Sequence, residues 1–308
     1  MVGKALFSHF QKSENILITA PRQELDLSNQ SEVNNFFQKN KIDEVFISAA
    51  KVGGILANQT RPADFIFNNI LIQSNIINAA HQCNINKLLF FGSSCIYPAQ
   101  SSQPIKESQL LTGPLEETNR AYAIAKISGI EMCRSFNIQY HRDYRCIMPT
   151  NLYGPNDNFD QHHSHVVPSL ISKFHEASIN KSDSVIVWGS GSPLREFMHV
   201  DDLARAAVNL MNLSSDQYRD LIDNDEIFHI NVGSGEEISI KDLAILIADI
   251  TKFKGKIIFD ENYPDGMPKK LLDLSILNRS GFKVKYDFQN GLKHTYDWYK
   301  KNIADTIS

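Results

Sequence analysis

Short apolar runs alternate with helical patterns along the first half of the chain, and this alternation constrains the fold more than any other feature. The runs "ENILIT" (14–19), "DEVFISAA" (43–50), "KLLFFGSS" (87–94) and "YRCIMPTNLYG" (144–154) have strand length and near-continuous apolar character. Helical patterns lie between them at 1–10, 31–39, 62–81 and 121–139. In the opening helix Val2, Ala5, Leu6 and Phe10 recur at helical spacing. Strands that are apolar on both faces and separated by helices predict a parallel sheet covered by helices on either side.

From residue 155 the organisation changes. A His-rich loop, a helix over 165–177 and the strand "SVIVWG" come first. "EFMHVDDLARAAVNLMNL" (196–213) reads as a strand entering a helix capped by Asp201, and "SIKDLAILIADITKF" (239–253) as an amphipathic helix capped by Ser239. Strands are expected in "IFHINVGSG" (227–235) and "KIIFD" (256–260), and a final helix over 288–302. The predicted division is residues 1–154, with 196–225 returning to them, against a smaller α/β unit of 155–195 and 226–308.

With 308 residues and 42% hydrophobic content, the chain can bury a full core. A net charge of −4 without a basic cluster argues against a nucleic-acid partner. No stretch is long and apolar enough to span a bilayer, and no charged-then-apolar leader opens the chain. Cys83, Cys95, Cys133 and Cys146 show no paired spacing, so reduced thiols and a cytoplasmic location are expected. The loop "DQHHSH" (160–165) lacks the second ligand cluster of a zinc site, and no metal is expected.

The reactive signal is Tyr122-Ala-Ile-Ala-Lys126. Residues four apart on a helix point the same way. A nearby ammonium favours tyrosinate, so the phenol could exchange a proton with a carbonyl as hydride arrives. Alone, such a pair is also an ordinary surface Tyr stacked on a Lys. Ser93 and Ser94, however, close the apolar strand "LLFFG", and ligands of doubly wound sheets gather at strand ends. Ser, Tyr and Lys in this order, with these elements between, resemble the triad of the short-chain dehydrogenase/reductase superfamily. That resemblance implies a Rossmann-like, doubly wound parallel sheet.

"SAAKVGGILANQTRPADFIFNN", "GSSCIYP", "AYAIAK", "MPTNLYGPNDNF", "SHVVP", "VWGSGSPLREFMHVDDLA" and "PDGMPKKLLD" are similar to segments of the GDP-L-fucose synthase family. The resemblance covers essentially the whole chain. It implies an NADPH-dependent enzyme that epimerises C3 and C5 of GDP-4-keto-6-deoxy-D-mannose and reduces C4. Tyr122 would be the proton donor, Lys126 would lower its pKa and hold the ribose, and Ser93 would orient the carbonyl. Cys95 and His165 match the family's acid/base pair; read by themselves they are equally a buried structural Cys and a helix-capping His. Histidine suits the task through its near-neutral pKa, whereas a thiol must be tuned or remain a proton donor.

For the cofactor the resemblance implies Gly3, Arg22, Ala49, Ala50, Lys51, Phe91, Gly92, Ser93, Ser94, Lys126, Pro149, Thr150, Asn151, Leu152 and His165. Arg22 would meet the 2′-phosphate of NADP or else serve as a loop cation. For the substrate it implies Trp188 against a base or sugar, Arg195 and Lys173 on the diphosphate, and Asp265 in the late "PDG" turn. A core or edge Trp, solvated charges and a turn-forming Asp are the plain alternatives. A homodimer through helices near 62–82 and 121–139 is implied as well. Two rival readings stand: a synthase of a related GDP-deoxysugar such as colitose, and a non-catalytic subunit that binds no NADPH.

In the family a first strand and a G-x-x-G-x-x-G turn precede the opening helix. This sequence starts at "MVG", with Gly3 matching the last glycine, whose role is close helix–strand packing. Three expectations follow: a start placed too late, a truncated chain, or a remodelled N-terminus. The first two are favoured because every downstream motif is intact.

Overall fold

Four parallel strands carry the strand ends from which the site is built. A computed structural model describes residues 1–11, 13–161, 164–222, 227–263 and 265–304. Its first half runs α1 (Val2–Phe10), α2 (Gln30–Lys39), β1 (Glu44–Ile47), α3 (Ile55–Thr60), α4 (Pro62–Gln82), β2 (Lys87–Phe91), α5 (Arg120–Tyr140), β3 (Asp143–Pro149) and β4 (Asn151–Tyr153). The second half runs α6 (Val166–Ile179), β5 (Ser184–Trp188), β6 (Leu194–His199), α7 (Val200–Asn212), α8 (Ser215–Ile222), β7 (Ile230–Val232), β8 (Glu237–Ser239), α9 (Ile240–Thr251), β9 (Lys256–Asp260), β10 (Lys269–Lys270), α10 (Ser275–Arg279) and α11 (Phe288–Asn302).

The main sheet has the order β1-β2-β3-β7, all parallel. Successive side chains of a strand point to opposite faces, and β2 shows the result. Leu88 and Phe90 pack with Val33, Ile77 and Ile130 from α2, α4 and α5. Leu89 and Phe91 pack with Leu6 from α1 and with Leu203 and Leu210 from α7. Both faces are therefore covered, as the continuous apolar character of "KLLFF" requires. A third apolar cluster gathers Phe174, Val187, Leu243, Ile247 and Tyr299 around the parallel pair β5–β9. The remaining sheet is β10-β6-β4, with β8 antiparallel to β6.

Several expected elements are corrected. "ENILIT" forms no strand: β1 stands at the sheet edge, among the described residues no strand lies beside it to pair with this segment, and Ile16 is 91% exposed. The run 144–154 is two strands in two sheets. The chain changes sheet at Thr150, whose N–H donates to Val232 O at 2.9 Å and whose hydroxyl donates to Glu196 O at 3.2 Å. Within 196–225, α7 and α8 pack against the main sheet, whereas β6 lies in the second one. The strand that rejoins the main sheet is β7, shorter than the expected 227–235. The boundary expected at 225/226 lies outside the described residues, as do His162 and His163 of the "DQHHSH" loop. The cap of α7 is His199, whose Nδ1 accepts from Asp201 N at 3.2 Å, so Asp201 is a first-turn acid and not the cap. Ser239 does cap α9, accepting from Asp242 N.

One buried cation ties the sheet to its cover. Arg145 on β3 is fully buried and pairs with Asp143 through Nε at 2.7 Å and Nη2 at 2.6 Å. The rest of its fork donates to Leu210 O, to Met211 O at 3.3 Å and to Leu213 O at 3.0 Å at the end of α7. Those carbonyls have no partner within the helix.

Candidate active site

The three parallel strands β1, β2 and β3 end at the same edge of the sheet, and each end carries expected cofactor residues: Ala49, Ala50 and Lys51; Phe91, Gly92, Ser93 and Ser94; Pro149, Thr150, Asn151 and Leu152. Such an edge is where doubly wound sheets take their ligands. Gly3 lies at the start of α1, close against the end of β1: a Cβ there would be 3.0 Å from Ser48 Oγ. This is the close helix–strand approach expected of it. The half-buried backbone of Lys51 is fixed by Asn69 of α4, which accepts from Lys51 N at 2.8 Å and donates to Lys51 O at 3.0 Å. Lys51 Nζ pairs with Asp64 at 2.7 Å.

Helix α5 brings Tyr122 and Lys126 to β2 and its following turn. Lys126 is buried, and its Nζ donates to Phe91 O at 2.8 Å and lies 4.8 Å from the Phe90 ring centre. Burial lowers its pKa to about 8, so it is still mostly protonated at neutral pH. The Ser93 hydroxyl acts on both the Tyr122 phenol and the Cys95 thiol, favouring the ionised form of each. Burial pushes the phenol pKa upward, and Cys95 adds to the rise. This differs from the expected lowering by Lys126, whose ammonium points to Phe91 O and lies 5.8 Å from the Tyr122 ring centre. The phenol is thus held in its protonated form. Burial also raises the Cys95 thiol, against the pull of Lys270, the Ser93 hydrogen bond and Lys126.

Four of the five expected catalytic residues therefore meet. His165 is N-terminal to α6 and exposed, and shares no hydrogen bond, ion pair or ring contact with the other four. Its electrostatic neighbour is Asp157, whose carboxyl burial raises and His165 lowers. Arg22 lies exposed in a turn after the unpaired 14–19 segment, near Asp26, and not at the end of a strand. Sequence reasoning missed Lys270, the second lysine of "PDGMPKKLLD". It acts electrostatically on Cys95 and lies near Arg195. Its position in a quoted motif was the available signal; the structure sets it opposite Arg195 in the β10–β6 register.

The expected substrate residues sit on the β5–β9 side. Trp188 ends β5, and Lys173 Nζ of α6 lies 4.7 Å from its ring centre. The Asp265 carboxylate accepts from Ser190 N and Ser190 Oγ, each at 2.7 Å, and so anchors the turn. Arg195 Nη2 donates to Asp265 O at 3.4 Å.

Residues 1–233 match the model of the NAD dependent epimerase/dehydratase family. GDP-L-fucose synthase from Escherichia coli (strain K12) is 49% identical over 98% of this chain and 94% of its own length. The chain belongs to the GDP-L-fucose synthase family. A GDP-L-fucose synthetase from Naegleria fowleri, solved bound to NADP, superposes with a TM-score of 0.86 at 26% identity, covering 98% of this chain and 92% of that one. GDP-L-colitose synthase from Yersinia pseudotuberculosis is more distant, at 34% identity over 97% of this chain and 94% of its own. Among the described residues no helix is long and apolar enough to cross a membrane.

Proposed function

We propose that this chain converts GDP-4-keto-6-deoxy-D-mannose to GDP-L-fucose by epimerising C3 and C5 and then reducing C4. The observation that carries the reading is the convergence of Ser93, the Cys95 thiol and the protonated Tyr122 phenol at the end of β2, where Lys126 is fixed on Phe91 O. One chemistry needs both groups at one sugar. Protons at C3 and C5 are acidic because the C4 ketone stabilises the enolate, and each inversion requires a base on one face and an acid on the other. Cys95 and His165 take those roles.

The strand ends suit a dinucleotide: Ala49 and Ala50 there are small and half-buried, Gly92 adds no bulk, and the Lys126 ammonium lies beside them. NADPH, when bound there, supplies the hydride for C4. Tyr122 protonates the C4 oxygen, Ser93 orients the carbonyl, and Lys126 holds the ribose. Arg195, Lys173 and Lys270 offer positive charge to the diphosphate. We also propose the two-domain division, supported by the separate apolar cluster around β5–β9. A homodimer through α4 and α5 is supported by Phe67 and Ile138, 64% and 63% exposed. Light scattering at twice the 34.9 kDa chain mass is the expected result.

Turnover in deuterated water gives product labelled at C3 and C5, read by NMR. Unlabelled product removes the epimerase function. Label at C5 alone favours the colitose-type reaction.

A further inference from the structure

We propose that Tyr263 is a nucleotide-binding residue of this enzyme, forming with Trp188 an aromatic clamp that closes on the two faces of the purine base. The proposal rests on the GDP-sugar reading above and adds to it a residue that neither the motifs nor the family resemblance singled out.

The backbone places the two rings. β5 and β9 run parallel with Trp188 opposite Asp260. After Asp260 the chain turns: Asn262 N donates to Asp260 Oδ1 at 3.1 Å, and Tyr263 N donates to Asp260 O at 3.3 Å. Two residues later the Asp265 carboxylate grips Ser190, two residues beyond Trp188. Gly189 permits this closeness, with φ of 85° and an added Cβ only 2.4 Å from Asp265 Oδ1. Pinned on both sides, the turn folds Tyr263 back over the end of β5.

The Tyr263 ring lies 4.4 Å from Trp188, centre to centre, with planes only 7° apart. Aromatic pairs without a ligand to accommodate settle equally well edge to face. Two parallel, partly exposed rings are what a flat third ring needs. Trp188 is 39% exposed and Tyr263 41% exposed, and both border a cavity of about 430 Å³ shared with Gln161, Lys173, Ser184 and Asp260. A base between the rings needs them roughly 7 Å apart, so the Tyr263 side chain moves outward by roughly 3 Å. The cost is one ring–ring stack, and two ring–base stacks replace it. Lys173, at 4.7 Å from the indole, keeps positive charge beside the nucleotide. The Asp260 carboxylate borders the same space and is an acceptor suited to the N–H edge of guanine.

The test is calorimetric titration of guanosine diphosphate into the full chain and into Tyr263→Ala and Tyr263→Phe, with uridine diphosphate as the smaller base. Wild type binds GDP more tightly than UDP. Tyr263→Ala weakens GDP binding by about tenfold, within the range for one aromatic stack on a base, and narrows the gap to UDP. Tyr263→Phe keeps wild-type affinity for both, and its melting temperature controls for folding. Tyr263→Ala that binds GDP as tightly as wild type, or more tightly, overturns the clamp: Tyr263 then only covers the indole. Wild type that binds no GDP overturns the GDP-sugar reading and the clamp with it. The wild-type titration and the variant ratio thus report on the two readings separately.

Discussion

Tyr122→Phe lowers the rate of NADPH oxidation with the keto-sugar substrate by about 10²–10⁴-fold, the range for loss of a positioned proton donor. The substitution removes one oxygen from a ring that packs edge-on against Phe65, at 6.1 Å between centres, so the fold is kept. In the proposed mechanism the variant still exchanges protons at C3 and C5, because Cys95 and His165 carry those steps. Quenched reactions in deuterated water then accumulate labelled keto sugar, while NADPH affinity stays near wild type. Turnover close to wild type takes the proton-donor role away from Tyr122. Absence of label with an intact fold ties the two half-reactions more closely than separate catalysts allow. In the wild type, reduction declines as pH rises past about 8, where burial has brought the Lys126 ammonium to its titration point.

The second large effect concerns stability. Arg145→Leu removes a fully buried guanidinium and takes its donors from the Asp143 carboxylate and the carbonyls of Leu210 and Leu213, while Met211 O keeps Lys87 Nζ at 2.6 Å. Breaking one side of a buried pair costs about 3–5 kcal/mol, which for a chain this size lowers the melting temperature by at least roughly 6 °C. Calorimetry reads this directly, and a shift under 2 °C, roughly 1 kcal/mol, would show that water replaces the arginine at little cost. Burial opposes ionisation of Asp143, yet the Arg145 hydrogen bonds and charge, with Ser215, hold its carboxyl below the usual range. A depressed carboxyl stabilises the fold above its unfolded pKa of about 4 and loses that contribution as pH falls through the lower folded value. The wild type therefore loses more stability in acid than Arg145→Leu does.

The helices and the site core were legible because each leaves a local trace. Helices α4, α5 and α11 announce themselves by period, and Ser93, Cys95, Tyr122 and Lys126 by motif. What was illegible depended on partners. "ENILIT" has the composition of a strand, yet a ladder needs a neighbour, and composition does not supply one. Residues 144–154 read as one strand because both sheets ask for the same apolar side chains; the change of sheet at Thr150 lies in its hydrogen bonds. His199 displaced Asp201 as the cap of α7 because a cap is chosen by geometry, and a histidine ring nitrogen can accept as a carboxylate does. Tyr263 is silent in sequence. Its meaning comes from a turn that folds it onto Trp188, 75 positions away in a chain whose register no pattern prints.

Helix α4 links two parts of the site that share no sequence neighbourhood. Asn69 grips the loop after β1, and one turn on, Gln73 donates to Ala125 O at 2.7 Å and to Ser128 Oγ at 2.9 Å on α5. The loop and the Tyr122 helix thus hang from a single strut, and any error in their placement is a shared error. Their spacing survives when the strut tilts or shifts, much as two instruments on one optical rail keep their alignment when the bench moves. The chain has thereby made the distance between the two groups less sensitive to fluctuation than the absolute position of either.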